Sequence, residues 1–159
     1  MSTPNTDYAS VIPYLTVQGA AEAIEFYKAA FGATERYRLT DKSGKIGHAE
    51  IMIAGCMVML SDENPAWNKS PQTLGGTAVK FSLMVENADA GVARAEAAGA
   101  AVTMPPMDMF YGHRSGAVRD PFGHEWMIQH EIEKVAPEEM QKRWDAMGSE
   151  CSGGEQTPA

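Results

Sequence analysis

The sequence predicts an α+β fold made of two successive βαβββ modules followed by a C-terminal helix. Three observations carry this. The pattern strand, helix, strand, strand, strand runs twice through the 159 residues. Val11 and Val79, Ala20 and Ala88, and Met59 and Met127 are each 68 positions apart. Each helical pattern closes on a glycine, Gly32 and then Gly99. A fixed offset held across several elements marks an internal repeat.

In the first module, "SVIPYLTV" (Ser10 to Val17) alternates as a strand. Pro13 cannot donate a ladder hydrogen bond, so that strand should leave the position unpaired or sit at an edge. Ala20, Ala23, Ile24, Tyr27 and Phe31 recur at helical spacing, so a helix runs from about Ala20 to Phe31. Glu35 to Leu39 is a strand. "GHAEIMIAG" and "CMVMLSD" form a hairpin about Ala54-Gly55. The stretch from Glu63 to Gly76 holds Pro and Gly without periodicity and reads as a loop. The second module repeats the order: strand Ala78 to Glu86, helix Asn87 to Gly99, strand Ala101 to Met104, then Gly112 to Arg119 and Glu125 to His130 about the turn "DPFGH". The expected organisation is a tail (1–9), one domain (10–134) with modules 10–62 and 77–132 and linker 63–76, a helix (135–147) and a disordered tail (148–159). In that last helix Met140, Trp144 and Met147 share a face that should dock on something.

Bulk properties narrow the function. The formal net charge is −8, with 13 basic residues scattered among 21 acidic ones. No basic run exists to hold nucleic acid or an anionic membrane. No apolar run reaches the roughly 20 residues of a membrane span, and the N-terminus lacks the pattern of a secretory signal. Cys56 and Cys151 read as free thiols in a reducing compartment, so the expected location is cytoplasmic. Eleven methionines suit either core filling or an adaptable apolar pocket.

Strand alternation sorts the side chains into two faces. One is apolar: Val11, Leu15, Val17, Ile51, Ile53, Val58, Leu60, Val79, Phe81, Leu83, Val85, Trp126 and Ile128. The other is mixed, with Ile12, Tyr14, Thr16, His48, Glu50, Met52, Met57, Met59, Ser61, Lys80, Ser82, Met84, Glu125, Met127 and Gln129. Apolar groups interspersed with a few polar ones are the usual lining of a ligand cavity. A face covered by a partner subunit is the competing reading.

The stretches "VIPYLTVQGAAEAIEFYKAAFGA", "HAEIMIAGCMVMLSDE", "SPQTLGG", "DMFYGHRSGAVRDPFGH" and "APEEMQKRWDAM" span Val11 to Met147. On them the chain resembles the vicinal oxygen chelate superfamily of glyoxalase I, bleomycin-resistance proteins and extradiol dioxygenases, and within it the PhnB-like branch. The resemblance implies curved mixed sheets around a cup and a homodimer. It also implies a divalent metal held by His or Glu from the first and fourth strands of each module, acting as a Lewis acid. Those positions are Ile12, Met59, Lys80 and Met127 here. None is a ligand for a hard or borderline cation, so no metal cofactor is expected. Members of the branch carry an acidic residue and an aromatic where this chain has His113 and Ser115.

Chemistry would have to come from elsewhere. His48 and Glu50 lie two apart on one strand, either as an acid-base pair or as a polar pair bonding a neighbouring strand. Lys80 stands where a metal charge would be and would hold an anion or pair with Glu50 or Glu125. Phe110 and Tyr111 would supply an aromatic rim and Arg114 a cation. His124 reads as a turn residue. The expected ligand-binding set is therefore Tyr14, Thr16, His48, Glu50, Met59, Lys80, Phe110, Tyr111, Arg114, Glu125 and Met127. Three classes stay open: a metal-independent small-molecule binder, an enzyme using acid-base groups or a relocated metal, and a dimeric scaffold.

Overall fold

Alternation and helical periodicity assemble into the two expected modules. The computed structural model describes residues 11–151; the tail 1–9 and the end of the chain beyond Cys151 lie outside the described residues. The first module comprises β1 (Tyr14–Val17), α1 (Ala20–Phe31), β2 (Thr34–Thr40), β3 (Ile46–Ile53) and β4 (Cys56–Asp62). A short helix, α2 (Pro71–Leu74), follows. The second module comprises β5 (Lys80–Met84), α3 (Ala88–Ala97), β6 (Ala101–Asp108), β7 (His113–Arg119) and β8 (Glu125–Glu131), and α4 (Pro137–Cys151) ends the described chain. Each module forms a four-stranded mixed sheet, in the orders β1-β4-β3-β2 and β5-β8-β7-β6. The repeat persists in the register: Tyr14 pairs with Met59 and Ser82 with Met127, both members displaced by 68 positions.

Local chemistry sets the joints. Ala54 and Gly55 both take positive φ, 48° and 79°, as a two-residue hairpin turn with right-handed strand twist requires. No side chain of its own caps α1; the Asp62 carboxylate at the end of β4 accepts from the Gly19 and Ala20 amides instead. Asn87 caps α3, and Arg94 of α3 donates to the Ala29 carbonyl at the end of α1 (2.7 Å).

The core lies between the sheets and their helices, and α1 packs on α3. Tyr27 and Trp126 meet at 5.6 Å between ring centroids and Phe31 and Trp126 at 4.7 Å, which joins the modules through aromatic contact. The Asp120 carboxylate sits at the centre of this joint. Oδ1 accepts from the Phe122 and His124 amides, and Oδ2 from the Tyr27 hydroxyl (2.7 Å) and the Trp126 indole (2.9 Å). Burial first, and then the Asp120 charge, push the Tyr27 phenol well above its ordinary value. His124 Nε2 meets the Thr16 carbonyl at 3.1 Å, a second tie between modules.

Several expectations need correction. Val11 is 86% and Val79 55% exposed, not core, because β1 and β5 begin only at Tyr14 and Lys80 and the residues before them lie beyond the cover of the helices. The linker holds α2, nucleated by Ser70 as its cap and Pro71 at its first turn. β6 does not stop at Met104 but continues through Pro105 and Pro106; it is an edge strand with register shifts there, where missing amides are tolerated. α4 runs on to Cys151 through part of the expected tail. Its apolar face docks only in part: Trp144 stacks near Phe110 at 5.4 Å yet stays 59% exposed.

Two outcomes follow for stability. Asp120→Ala leaves four buried donors without an acceptor and should cost about 4 kcal/mol, roughly 10 °C in Tm, in a thermal melt. Arg38 foremost, with help from Lys28, pulls the Glu35 carboxyl down to about 2 from 4.5. A depressed carboxylate stabilises the fold above its unfolded value and loses that contribution as pH falls through the folded one. Stability should therefore drop between about pH 4.5 and pH 2, and Glu35→Gln should flatten that limb of the pH–Tm curve.

Candidate functional site

The side chains singled out by the sequence fall on two separate sheets. On the first, Tyr14, His48 and Glu50 come together from β1 and β3. The Tyr14 hydroxyl is 3.0 Å from His48 Nδ1, and His48 Nε2 is 3.6 Å from Glu50 Oε1. Glu50 is 1% exposed. It also accepts from the Tyr37 hydroxyl at 2.9 Å, and Arg36 Nη1 lies 3.7 Å from Oε2. Met59 is the register partner of both Tyr14 and Glu50, and Thr16 follows Tyr14 along β1. A buried carboxylate beside an imidazole and two phenols can hold and pass a proton. Tyr37 and Arg36 escaped sequence reading. Simple alternation puts neighbours on opposite faces, but a register shift between Glu35 and Tyr37 lets both reach Glu50.

On the second sheet Lys80, Glu125, Met127 and Tyr111 line one cavity of about 330 Å³ with Thr103, Met104, Met109 and Ala117. The thioethers and the Tyr111 ring form its walls, and Ala117 and Met127 are register partners on its floor. At the mouth, Glu125 is shared between Lys80 (3.5 Å) and Arg119 (3.1 Å). The Arg119 hydrogen bond foremost, with Lys80, holds the Glu125 carboxyl below its ordinary range. Two cations on one carboxylate leave a surplus positive charge. Lys80 thus pairs with Glu125, not Glu50. Met104 and Met109 are assigned to no face in the sequence because alternation breaks at Pro105 and Pro106, whereas β6 runs on along the sheet edge to Asp108 and Met109 follows in the turn.

Two expected residues stand elsewhere. Arg114 grips Asp89 at the start of α3 with Nε and Nη2 (2.5 and 2.8 Å) and Asp108 with Nη1, which places it on the helix side of the sheet. Phe110 packs edge-on to Tyr111 and against Trp144, and its carbonyl accepts from Arg143, so it anchors α4.

Two other recesses offer less. One of about 480 Å³ near Trp67 contains Asp41 and Asp62, but both carboxylates already hold backbone amides of their own turns and caps. A groove of about 370 Å³ beside Phe31 and Met84 contains Asn87 and Arg94, which cap α3 and α1. Among the described residues no group of three or more His, Cys, Asp or Glu is placed to hold a metal ion. The positions that the family resemblance assigns to metal ligands, Ile12, Met59, Lys80 and Met127, offer no donor, two soft thioethers and an ammonium, which do not fit a divalent cation.

Comparison with known proteins agrees with this architecture. The chain is 40% identical over 140 residues to an uncharacterized protein of Mycobacterium bovis, covering 86% of this chain and 92% of that one. A solved gene product of Arabidopsis thaliana superposes with a TM-score of 0.63 at 30% identity, over 76% of this chain and 98% of its own. A PhnB protein from Bacillus cereus shares the fold at 18% identity and a TM-score of 0.60, over 77% and 99%. Residues 8–128 match the sequence pattern of one family throughout. With two βαβββ modules in that span, the chain belongs to the Glyoxalase/Bleomycin resistance protein/Dioxygenase superfamily.

Proposed function

We propose that this protein is a cytoplasmic, homodimeric binder of a small amphipathic anion, which it holds in the cup of its second module without a divalent metal. One observation carries the reading: a cavity walled by methionine and tyrosine opens on a carboxylate shared by two cations. Lys80 stands at a family ligand position, and its ammonium supplies positive charge there. An ammonium attracts a carboxylate or phosphonate as a point charge. Methionine walls adapt to irregular apolar shapes. Dimerisation is supported by the exposed apolar residues Tyr14 on edge strand β1 and Met84 on edge strand β5, together with Trp144 and Met147 on α4.

The Tyr14–His48–Glu50–Tyr37 cluster favours a second reading, acid-base chemistry on the first sheet. A compound that is converted as well as bound, with conversion abolished in His48→Gln, would move the assignment there.

A thermal-shift panel of aryl and 2-oxo carboxylates against their neutral amides tests the main reading. A carboxylate at about a hundred times its Kd should raise Tm by roughly 5–10 °C; its amide should not, and Lys80→Met should remove most of the shift. A panel with no responder, or a shift untouched in Lys80→Met, sinks it. Sedimentation equilibrium should return twice the 17.2 kDa chain mass; a monomer at micromolar concentration would remove the dimer.

A further inference from the structure

Beyond Met127 and Ala117, the next pair along the same face of β8 and β7 is Gln129 and Ser115. Ser115 is 0% and Gln129 9% exposed. Gln129 Nε2 donates to Ser82 Oγ at 2.6 Å. The other end of that amide, Oε1, meets no hydrogen-bond partner among the described residues, and neither does Ser115 Oγ. Turning the amide over changes which end is spare, not the fact that one is. One rung further, His113 Nδ1 is buried and unpartnered in the same way, with its ring 5.5 Å from that of the cavity residue Tyr111.

Three adjacent orphans are unusual. Buried polar side-chain atoms are nearly always bonded, because stripping water from one without replacement is costly. A fold that needed only packing here would carry apolar side chains, as the Ala117–Met127 rung of the cavity floor does. These polar groups are therefore explained by a bound molecule that completes them.

We infer that the cup selects an elongated anion whose far end bears a neutral hydroxyl or amide. The charge meets Lys80 and Arg119 at the mouth, the apolar body lies on Met104, Met109 and Met127, and the far polar group bonds Ser115 and Gln129, which sit one rung beyond the cavity lining and are reached as the side chains over them give way. Glu125 and Gln129 are four residues apart on one extended strand, about 13 Å. With the reach of the lysine side chain subtracted, the span suits one ring carrying a short acid arm. A hydroxyl fits the deep rung because it donates and accepts at once, serving a carbonyl oxygen and a serine hydroxyl together. This inference rests on the proposed anion-binding cup and specifies its ligand.

Titration calorimetry with para-hydroxyphenylpropanoate and phenylpropanoate, which differ by one hydroxyl, tests it on the full chain. The wild-type protein should prefer the hydroxy acid by about tenfold, the worth of one well-placed hydrogen bond. Ser115→Ala should bring the two within about twofold, and Gln129→Met should do the same. The unliganded Tm of Ser115→Ala should hold or rise, since it deletes an unsatisfied buried group. Lys80→Met should weaken both probes alike. If both probes bind equally and Lys80→Met weakens both, the cup stands and the hydroxyl subsite is overturned. If neither binds, this ligand class and the cup fall together. A clear fall in the unliganded Tm of Ser115→Ala assigns the hydroxyl to the fold and also overturns the inference.

Discussion

The Asp120 carboxylate is the constraint on which the rest depends. It opens the turn before β8, and it accepts two amides of that turn together with the Tyr27 hydroxyl and the Trp126 indole. A repeat of two modules has no inherent reason to hold one relative orientation. Here a single group belongs both to the last hairpin of one module and to the helix of the other. The Arg94 cap on α1 and the His124 contact with Thr16 reinforce the same joint from either side. Because β8 starts five residues after Asp120, its inward rungs at Glu125, Met127 and Gln129 inherit their positions from this anchor.

Asp120 and Glu50 are both buried carboxylates, and their surroundings assign them different work. Burying a carboxylate is costly unless donors surround it. Asp120 has four, two of them fixed backbone amides, in the aromatic core where no ligand can approach. Glu50 has the Tyr37 hydroxyl and neighbouring His48 and Arg36 side chains that can move, on the face away from α1. The first arrangement suits a structural anchor. The second sets a carboxylate, an imidazole and a phenol within reach of one another on a strand face.

Much of the fold was legible because its rules are local and repeated. Period-two alternation separated Leu15, Ile51, Leu60 and Ile128 from Tyr14, His48, Met59 and Met127, and the offset of 68 survives in the strand registers. What alternation cannot say is whether a face is covered at a given height, which is why Val11 and Val79 were misplaced. It also fails across bulges, which hid Tyr37 and Arg36 and extended β6 past its prolines. Arg114 is a different case. It shares parity with Gly116 and Val118, so its place opposite Asp89 on the helix side was readable, but the density of charged and aromatic residues around it drew it into the rim. Ser115 stood out only as a departure from the branch pattern and Gln129 only as one of the mixed face, since an orphaned hydrogen bond exists only in three dimensions.

In the proposed binder an ammonium stands where a metal ion would act, and this changes what a cup can do. A divalent cation can bind two adjacent oxygens of one substrate and draw electron density from both. Lysine brings one charge and three donors on a flexible stem, and it cannot chelate. It attracts an anion without fixing the geometry of the atoms beyond the charge. Selectivity in such a cup has to come from further along the molecule, from groups rigidly set on strands. Ser115 and Gln129 meet that requirement, because the Asp120 anchor and the β7–β8 ladder hold their backbones and the Ser82 hydroxyl holds the glutamine amide. In the proposed binder, a mouth that holds an ammonium and polar orphans deep in the same sheet act together, and recognition is shared between the charged mouth and the buried rung.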